Sequence, residues 1–425
     1  MDCPSSGVFK NAVEASTFFK YYSSMTTTAF CKCKAIVLMG LLVFSGFSLT
    51  FAQEQRLETF QANFASANLQ TKLEVLRAAE SEDPAFFGPL YLQALQYVVS
   101  NSAQLPQEPN LREVALVAVN RVEAGNYVPA AGELWRLFQD YNESTARIRI
   151  LTVLGGIAGE VPQVIAGLND WVRRQHIQYA SGGRPDLQVV SAALRAIRQL
   201  QSPTSFNILV DTILLQYPEL ITSVAREAIE SLPGDLREMA FAFILARPLA
   251  ERRPALLFFI GGDILNEQDK LLLAQETLGD ILGRTTRDLL ELEEFRQIRY
   301  AAAAVLREGA FGDATATVIR HFNETVLDFE RGRISSGPLL EAIATLGAMG
   351  TEGAAQRLTQ YLRLVNTYSE TDRPYNTQIV LAVIQNLELL RFPVAYDALF
   401  YTTLIENYPR RVRDAAREAT RSVLQ

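Results

Sequence analysis

Apolar residues recur every three or four positions through nearly the whole chain, and no stretch alternates as a strand requires. Leu57, Phe60 and Phe64 form one stripe and Leu69, Leu73 and Leu76 another, which predicts an N-terminal helical cap running into a first repeat that ends near Ser100. Residues 101–110, holding Pro106 and Pro109, read as a linker or long turn. Beyond it Val114–Val119 predicts a first helix, Ala124-Gly125-Asn126 a turn and Pro129–Tyr141 a second helix. Later first helices are expected at Leu187–Leu200, Ile221–Leu232, Gln297–Glu308, Leu339–Met349 and Gln378–Leu390. Small residues three apart recur in this set: Ala115/Ala118, Ala193/Ala196, Ala225/Ala228, Ala301/Ala304 and Ala342/Thr345. That spacing puts both on one helix face and lets a neighbouring helix approach closely.

A second pattern supplies the period. An aliphatic residue followed by arginine and then an alanine- or leucine-rich stretch occurs at Leu111-Arg112, Ile148-Arg149, Ile298-Arg299 and Val412-Arg413, with successive spacings of 37, 150 and 114 residues. Those are one, four and three multiples of about 37 or 38, a length that accommodates one helix pair. The pattern predicts an all-α chain: an α-solenoid of stacked antiparallel helix pairs, each burying its apolar face only against neighbours. Residues 53–110 would be the cap and first repeat, and 111–425 the array. The stretch 248–288 fits the period worst and is expected to hold an irregular repeat with a break near Gly261-Gly262, while 409–425 would be a capping helix. Apolar Ala255–Ile260 is too short to span a membrane and reads as a buried helix.

Residues Ile298-Arg299-Tyr300-Ala301-Ala302-Ala303-Ala304-Val305-Leu306 resemble the first helix of HEAT repeats of the short, alanine-rich subtype found in phycobilisome lyases. Val224–Ile229 and Val412–Ala416 are similar but less complete. The resemblance covers roughly residues 85–425 and implies an armadillo-like superhelix with a binding surface, and no particular reaction.

The amino-terminal region changes the expected compartment. Lys32 and Lys34 precede an uncharged apolar stretch, Ala35–Ala52, that ends in Thr50-Phe51-Ala52, the parts of a signal peptide. The leader is expected over 25–52, starting at Met25, with 1–24 as an upstream extension; the other reading of the stretch is a retained membrane anchor. Cleavage would make the protein periplasmic or secreted, without stable membrane insertion. Cys3, Cys31 and Cys33 all precede that point, so the mature chain would lack disulfides and thiolate chemistry. Removing 1–52, which carries four lysines against Asp2 and Glu14, moves the net charge from −7 to −9. So acidic a protein is a poor binder of nucleic acid, where cationic contacts dominate.

Candidate chemistry is sparse. His176 and His321 are the two histidines; a surface or helix-end place is expected for each, and His176, beside Arg173 and Arg174, would complement helix-end carbonyls as a cation. Glu291, Glu293 and Glu294 read as a solvated acidic face before the helix starting near Gln297. No phosphate loop, nucleophile elbow or zinc motif occurs, so no catalytic residue, metal ligand or cofactor is assigned. Partner binding has better candidates. Arg184 and Arg373, each before a proline and 189 residues apart, would emerge on one edge to hold an anionic partner, unless each proline simply opens a helix. Phe392, Tyr396 and Phe400 follow i, i+4, i+8 spacing, as a binding stripe or as repeat core. Arg410, Arg413, Arg417 and Arg421 form a cationic stripe opposite Val412, Ala416, Ala419 and Val423, as a polar cap or a dock for an acidic partner. The expected function is that of an exported, non-catalytic scaffold for another protein or an envelope component; the alternative is an enzyme or small-molecule binder with its site in a concave groove.

Overall fold

The computed structural model describes residues 53–371 and 375–424; the expected leader, the upstream extension and Arg373 lie outside the described residues. Among the described residues the chain is all-α, with twenty α-helices, short 3-10 turns and no strand. It divides into two compact units, before and after residue 200.

In the first unit α1 (53–66) and α2 (Leu69–Ala78) precede α3 (Gly88–Ser100), α4 (Pro109–Ala124), α5 (Ala131–Asp140), α6 (Ser144–Ile157), α7 (Pro162–Ala180) and α8 (Leu187–Leu200). Helices α2, α4, α6 and α8 pack side by side, α3, α5 and α7 do likewise, and the two rows pack on each other. The second unit holds α9 (Phe206–Leu214), α10 (Glu219–Glu230), α11 (Leu236–Ala246), α12 (Leu249–Gly261), α13 (Glu267–Leu282), α14 (Leu289–Glu308), α15 (Thr315–Glu330), α16 (Ser336–Ala348), α17 (Glu352–Glu370), α18 (Thr377–Leu390), α19 (Tyr396–Leu404) and α20 (Arg410–Ser422). From α11 onward the order is the same: α12, α14, α16, α18 and α20 form one row, and α11, α13, α15, α17 and α19 the other. In both units the main contacts of a helix are with the next helix and the next but one.

Small residues set the spacing within a row. A β-carbon added at Gly155 of α6 would lie 3.0 Å from Ala196 Cα of α8, so the two backbones nearly touch there. Alanines of the sequence pairs are buried at Ala118, Ala196, Ala228 and Ala342, whereas Ala301 and Ala304 are half-buried.

Helix ends repeat as well. After α4, Asn126 turns left-handed (φ 46°), its N–H meeting Glu123 O while Tyr127 N–H meets Val122 O. After α14, Ala310 (φ 43°) and Phe311 do the same with Arg307 and Leu306. A 3-10 turn follows each, Val128–Ala130 and Gly312–Ala314, ending on a fully buried alanine. Arg391 (φ 55°) and Pro393–Ala395 repeat the device before α19, and Gln201 (φ 48°) and Pro203–Ser205 before α9.

Several elements differ from expectation. Pro109 opens α4 rather than closing a linker, because the first helical position needs no N–H. Helix α14 starts at Leu289, eight residues before Gln297, because Asp288 accepts from Leu290 and Glu291 N–H and caps it. The poorly periodic stretch 248–288 contains two helices, α12 with Pro254 inside it and α13, separated after Gly261.

Polar rungs join helices about one period apart. In the first unit Arg77 pairs with Glu113 and Arg149 with Glu123; in the second Arg307 pairs with Glu341 along one row and Arg237 with Glu276 along the other. Near the chain's end the rung is buried. Asn366 of α17 donates to Thr402 Oγ1 of α19 at 3.0 Å and accepts from Tyr408 Oη at 3.0 Å. At the other end Lys72 Nζ donates to the carbonyls of Phe64 and Ala65 and lies over the rings of Phe64 and Tyr97, closing the C-terminus of α1.

Asn366→Ala is expected to cost about 1–3 kcal/mol, the range for leaving one buried donor, here Tyr408 Oη, without its acceptor. Urea unfolding checks this: adding Tyr408→Phe should cost less than the sum of the two single changes.

Candidate functional site

Helix α17 is capped by Thr351, whose hydroxyl accepts from Ala354 N–H, and buries Leu358, Tyr361, Leu362 and Val365 on its inner face. Helix α19 buries Ala398, Leu399 and Thr402. With those faces used, both helices still carry large apolar side chains outward. Tyr368 of α17 is 42% exposed, and Phe400 and Leu404 of α19 are 48% and 60% exposed. Leu364 and Tyr401 are also exposed, and α17 and α19 pack on each other.

Hydrogen bonds and ring contacts order this surface. Tyr401 Oη donates to Glu370, joining α19 to α17 and raising the phenol's pKa. The Tyr368 ring stacks on Tyr375 at 6.0 Å, and Tyr375 Oη donates to Glu330 at 2.6 Å. Burial first, then the Glu330 bond, pushes the Tyr375 phenol up. The surface thus combines exposed apolar side chains with two exposed carboxylates, Glu330 and Glu370.

Of the aromatic stripe expected from sequence, Tyr396 and Phe400 share α19 and stack at 6.1 Å, but Phe392 precedes the helix, in extended backbone before the 3-10 turn. Phe400 is exposed, Phe392 and Tyr396 are half-buried, and Ala398, Leu399 and Thr402 are the buried residues of α19. Tyr368, Tyr401, Leu364 and Leu404 were missed. Their signal is a second i, i+4 apolar set, offset from the core stripe of the same helix.

Arg184 is exposed in the turn after α7, where Gly182 (φ 81°) lets Gly183 N–H reach Gln178 O. Pro185 does not open α8; Asp186 does, accepting from Gln188 and Val189 N–H and from the Ser144 hydroxyl. In α20, Val412, Ala416, Ala419 and Val423 are buried and Arg410, Arg417 and Arg421 exposed. Asp414 pairs with both Arg410 and Arg417, and Arg413 departs from the stripe: it is half-buried, its Nε enclosed.

Both histidines differ from expectation. His176 is buried in α7, and burial, then Arg173, lowers its pKa to about 4. His321 is buried in α15, and burial, then Arg299, lowers its pKa to about 3. Neither is a helix-end cation at neutral pH. The acidic residues of α14 do not converge: Glu291 lies in its capped first turn, and Glu293 pairs with Arg296 and accepts from Gln297. Asp328 is the buried acid there, held by Arg296 at 3.2 Å and Arg299 at 3.1 Å. Burial pushes its carboxyl up, but the two guanidiniums outweigh this and hold it below the usual range.

Among the described residues no group of three or more His, Cys, Asp or Glu is placed to hold a metal ion, and no helix is long and apolar enough to cross a membrane. No protein-family model matches the chain, and no curated protein matches it.

The histidines set a pH dependence. Each has a folded value below its ordinary 6.5, so the unfolded chain binds the proton first as pH falls. Stability should therefore fall from pH 6.5 downward, by about 1.4 kcal/mol per pH unit per histidine at most, until the folded values near 4 and 3 are passed. Urea midpoints measured between pH 7 and 5 check this; a flat profile would contradict neutral, buried imidazoles.

Proposed function

We propose that this chain is an exported, non-catalytic α-solenoid scaffold, periplasmic or secreted, that binds another protein through the outward face of α17 and α19. The observation that carries the reading is the exposure of Leu364 and Tyr368 on α17 and of Phe400, Tyr401 and Leu404 on α19, two helices that pack on each other. Large apolar side chains are costly to leave in water, and aromatic anchors contribute most of the energy in protein interfaces. Glu330 and Glu370 among the rings favour a protein segment with apolar side chains and a lysine or arginine, which meets carboxylate and ring faces together. The helix order, in which each element leans on the next and next but one, supports the HEAT-like reading suggested by Ile298–Leu306. Export rests on Lys32, Lys34 and the apolar stretch after them, and the mature charge of −9 argues for a protein partner over nucleic acid.

The test is site-specific photo-cross-linking. A photoreactive residue at position 400 is expected to yield a discrete, protease-sensitive adduct in the source cell envelope. Introducing Tyr368→Asp and Leu404→Asp should reduce that adduct at least ten-fold while helix content is kept. An adduct of unchanged yield in the double variant, or none at position 400, would contradict the reading.

A further inference from the structure

A recess of about 280 Å³ opens between α14, α15 and α16, away from the surface formed by α17 and α19. Its apolar wall is Ala303, Ala304 and Pro338; its polar wall is Tyr300, His321, Glu341 and Thr345. Most of that polarity is already used. The Thr345 hydroxyl donates to Glu341 O at 2.8 Å, and the Glu341 carboxylate is held by Arg307. Two atoms remain: His321 Nδ1 and Tyr300 Oη are enclosed and meet no hydrogen-bond partner among the described residues. The two rings sit edge to face at 6.0 Å, and His321 is only 2% exposed.

Buried polar atoms are rarely left unpaired, because each forfeits its bonds to water without replacement. Two such atoms lining one recess point to a ligand that supplies the missing bonds. No unpaired charge lines it: His321 is neutral, Arg299 is held by Asp328 and Glu341 by Arg307. A charged ligand would lose its hydration there without compensation. The size is also informative, since a dry cavity of about 150 Å³ suffices for benzene in another protein.

We propose that this recess binds a small uncharged molecule built on a single apolar ring and carrying a hydroxyl group. The ring lies along Ala303, Ala304 and Pro338, and the hydroxyl hydrogen-bonds at the His321–Tyr300 wall. The site is independent of the protein-binding face and holds whether or not that face has a partner.

Fluorine NMR with the full chain tests it, using 4-fluorophenol as probe, with fluorobenzene and 4-fluorobenzoate as the apolar and charged controls. Saturable binding of 4-fluorophenol is expected, at least ten-fold tighter than either control. Tyr300→Phe, which removes only the hydroxyl, should weaken it five-fold or more. Ala304→Leu, which fills the recess from a half-buried position, should abolish it with the helical circular dichroism unchanged. Equal binding to wild type and Ala304→Leu would overturn the proposal, as would no preference for the phenol or a recess occupied by water alone.

Discussion

Close approach of helices within a row is the constraint on which the rest of these units depends. At Gly155 the α6 backbone lies so near Ala196 of α8 that a β-carbon would crowd the Ala196 α-carbon at 3.0 Å. Spacing of that kind brings charged side chains of one helix within reach of the next but one, so Arg77 meets Glu113 and Arg307 meets Glu341. These pairs are exposed and each is worth little alone. Their value is in register: an arginine one turn away would miss its carboxylate. Dispersion and apolar burial across the two rows supply the bulk of the stabilisation.

Each row exposes one side, and that side is where chemistry can be placed without disturbing the seams. On α17 and α19 the outward positions carry aromatic and aliphatic residues that do nothing for the core, tied together by Tyr401 and Glu370. Between α14 and α16 the small side chains of Ala303 and Ala304 leave room over the next row, and His321 lines the recess from beneath. The surface and the recess are thus two products of one architecture: large residues where a helix faces outward, small ones where two helices flank a third.

Much of the architecture was legible in the sequence, because small residues and apolar stripes repeat with helical spacing; Leu187–Leu200 is helical with the predicted bounds. The start of α14 was missed although Asp288 caps it, because full burial begins only at Ile298. The turn before α19 was missed because Phe392, Tyr396 and Phe400 fit a helix period; the aromatic-x-x-alanine motif shared by 127–130, 311–314 and 392–395 carries the opposite information. His321 was misplaced because its chain neighbours are Arg320 and Phe322, whereas its helix-face neighbours Val318 and Thr325 are buried. Which face of α19 stays exposed depends on the packing of α17 and α20 beside it, and that is not written in any one segment.

The central claim is that each helix depends on its immediate neighbours and hardly at all on distant ones. Hydrogen exchange of the full chain carrying Leu387→Ala, a cavity at a fully buried position of α18, tests it most directly. The account predicts that amide protection falls in α16 to α20 and stays at its wild-type level in α11 to α13. An equal loss of protection in every helix of the second unit would contradict it.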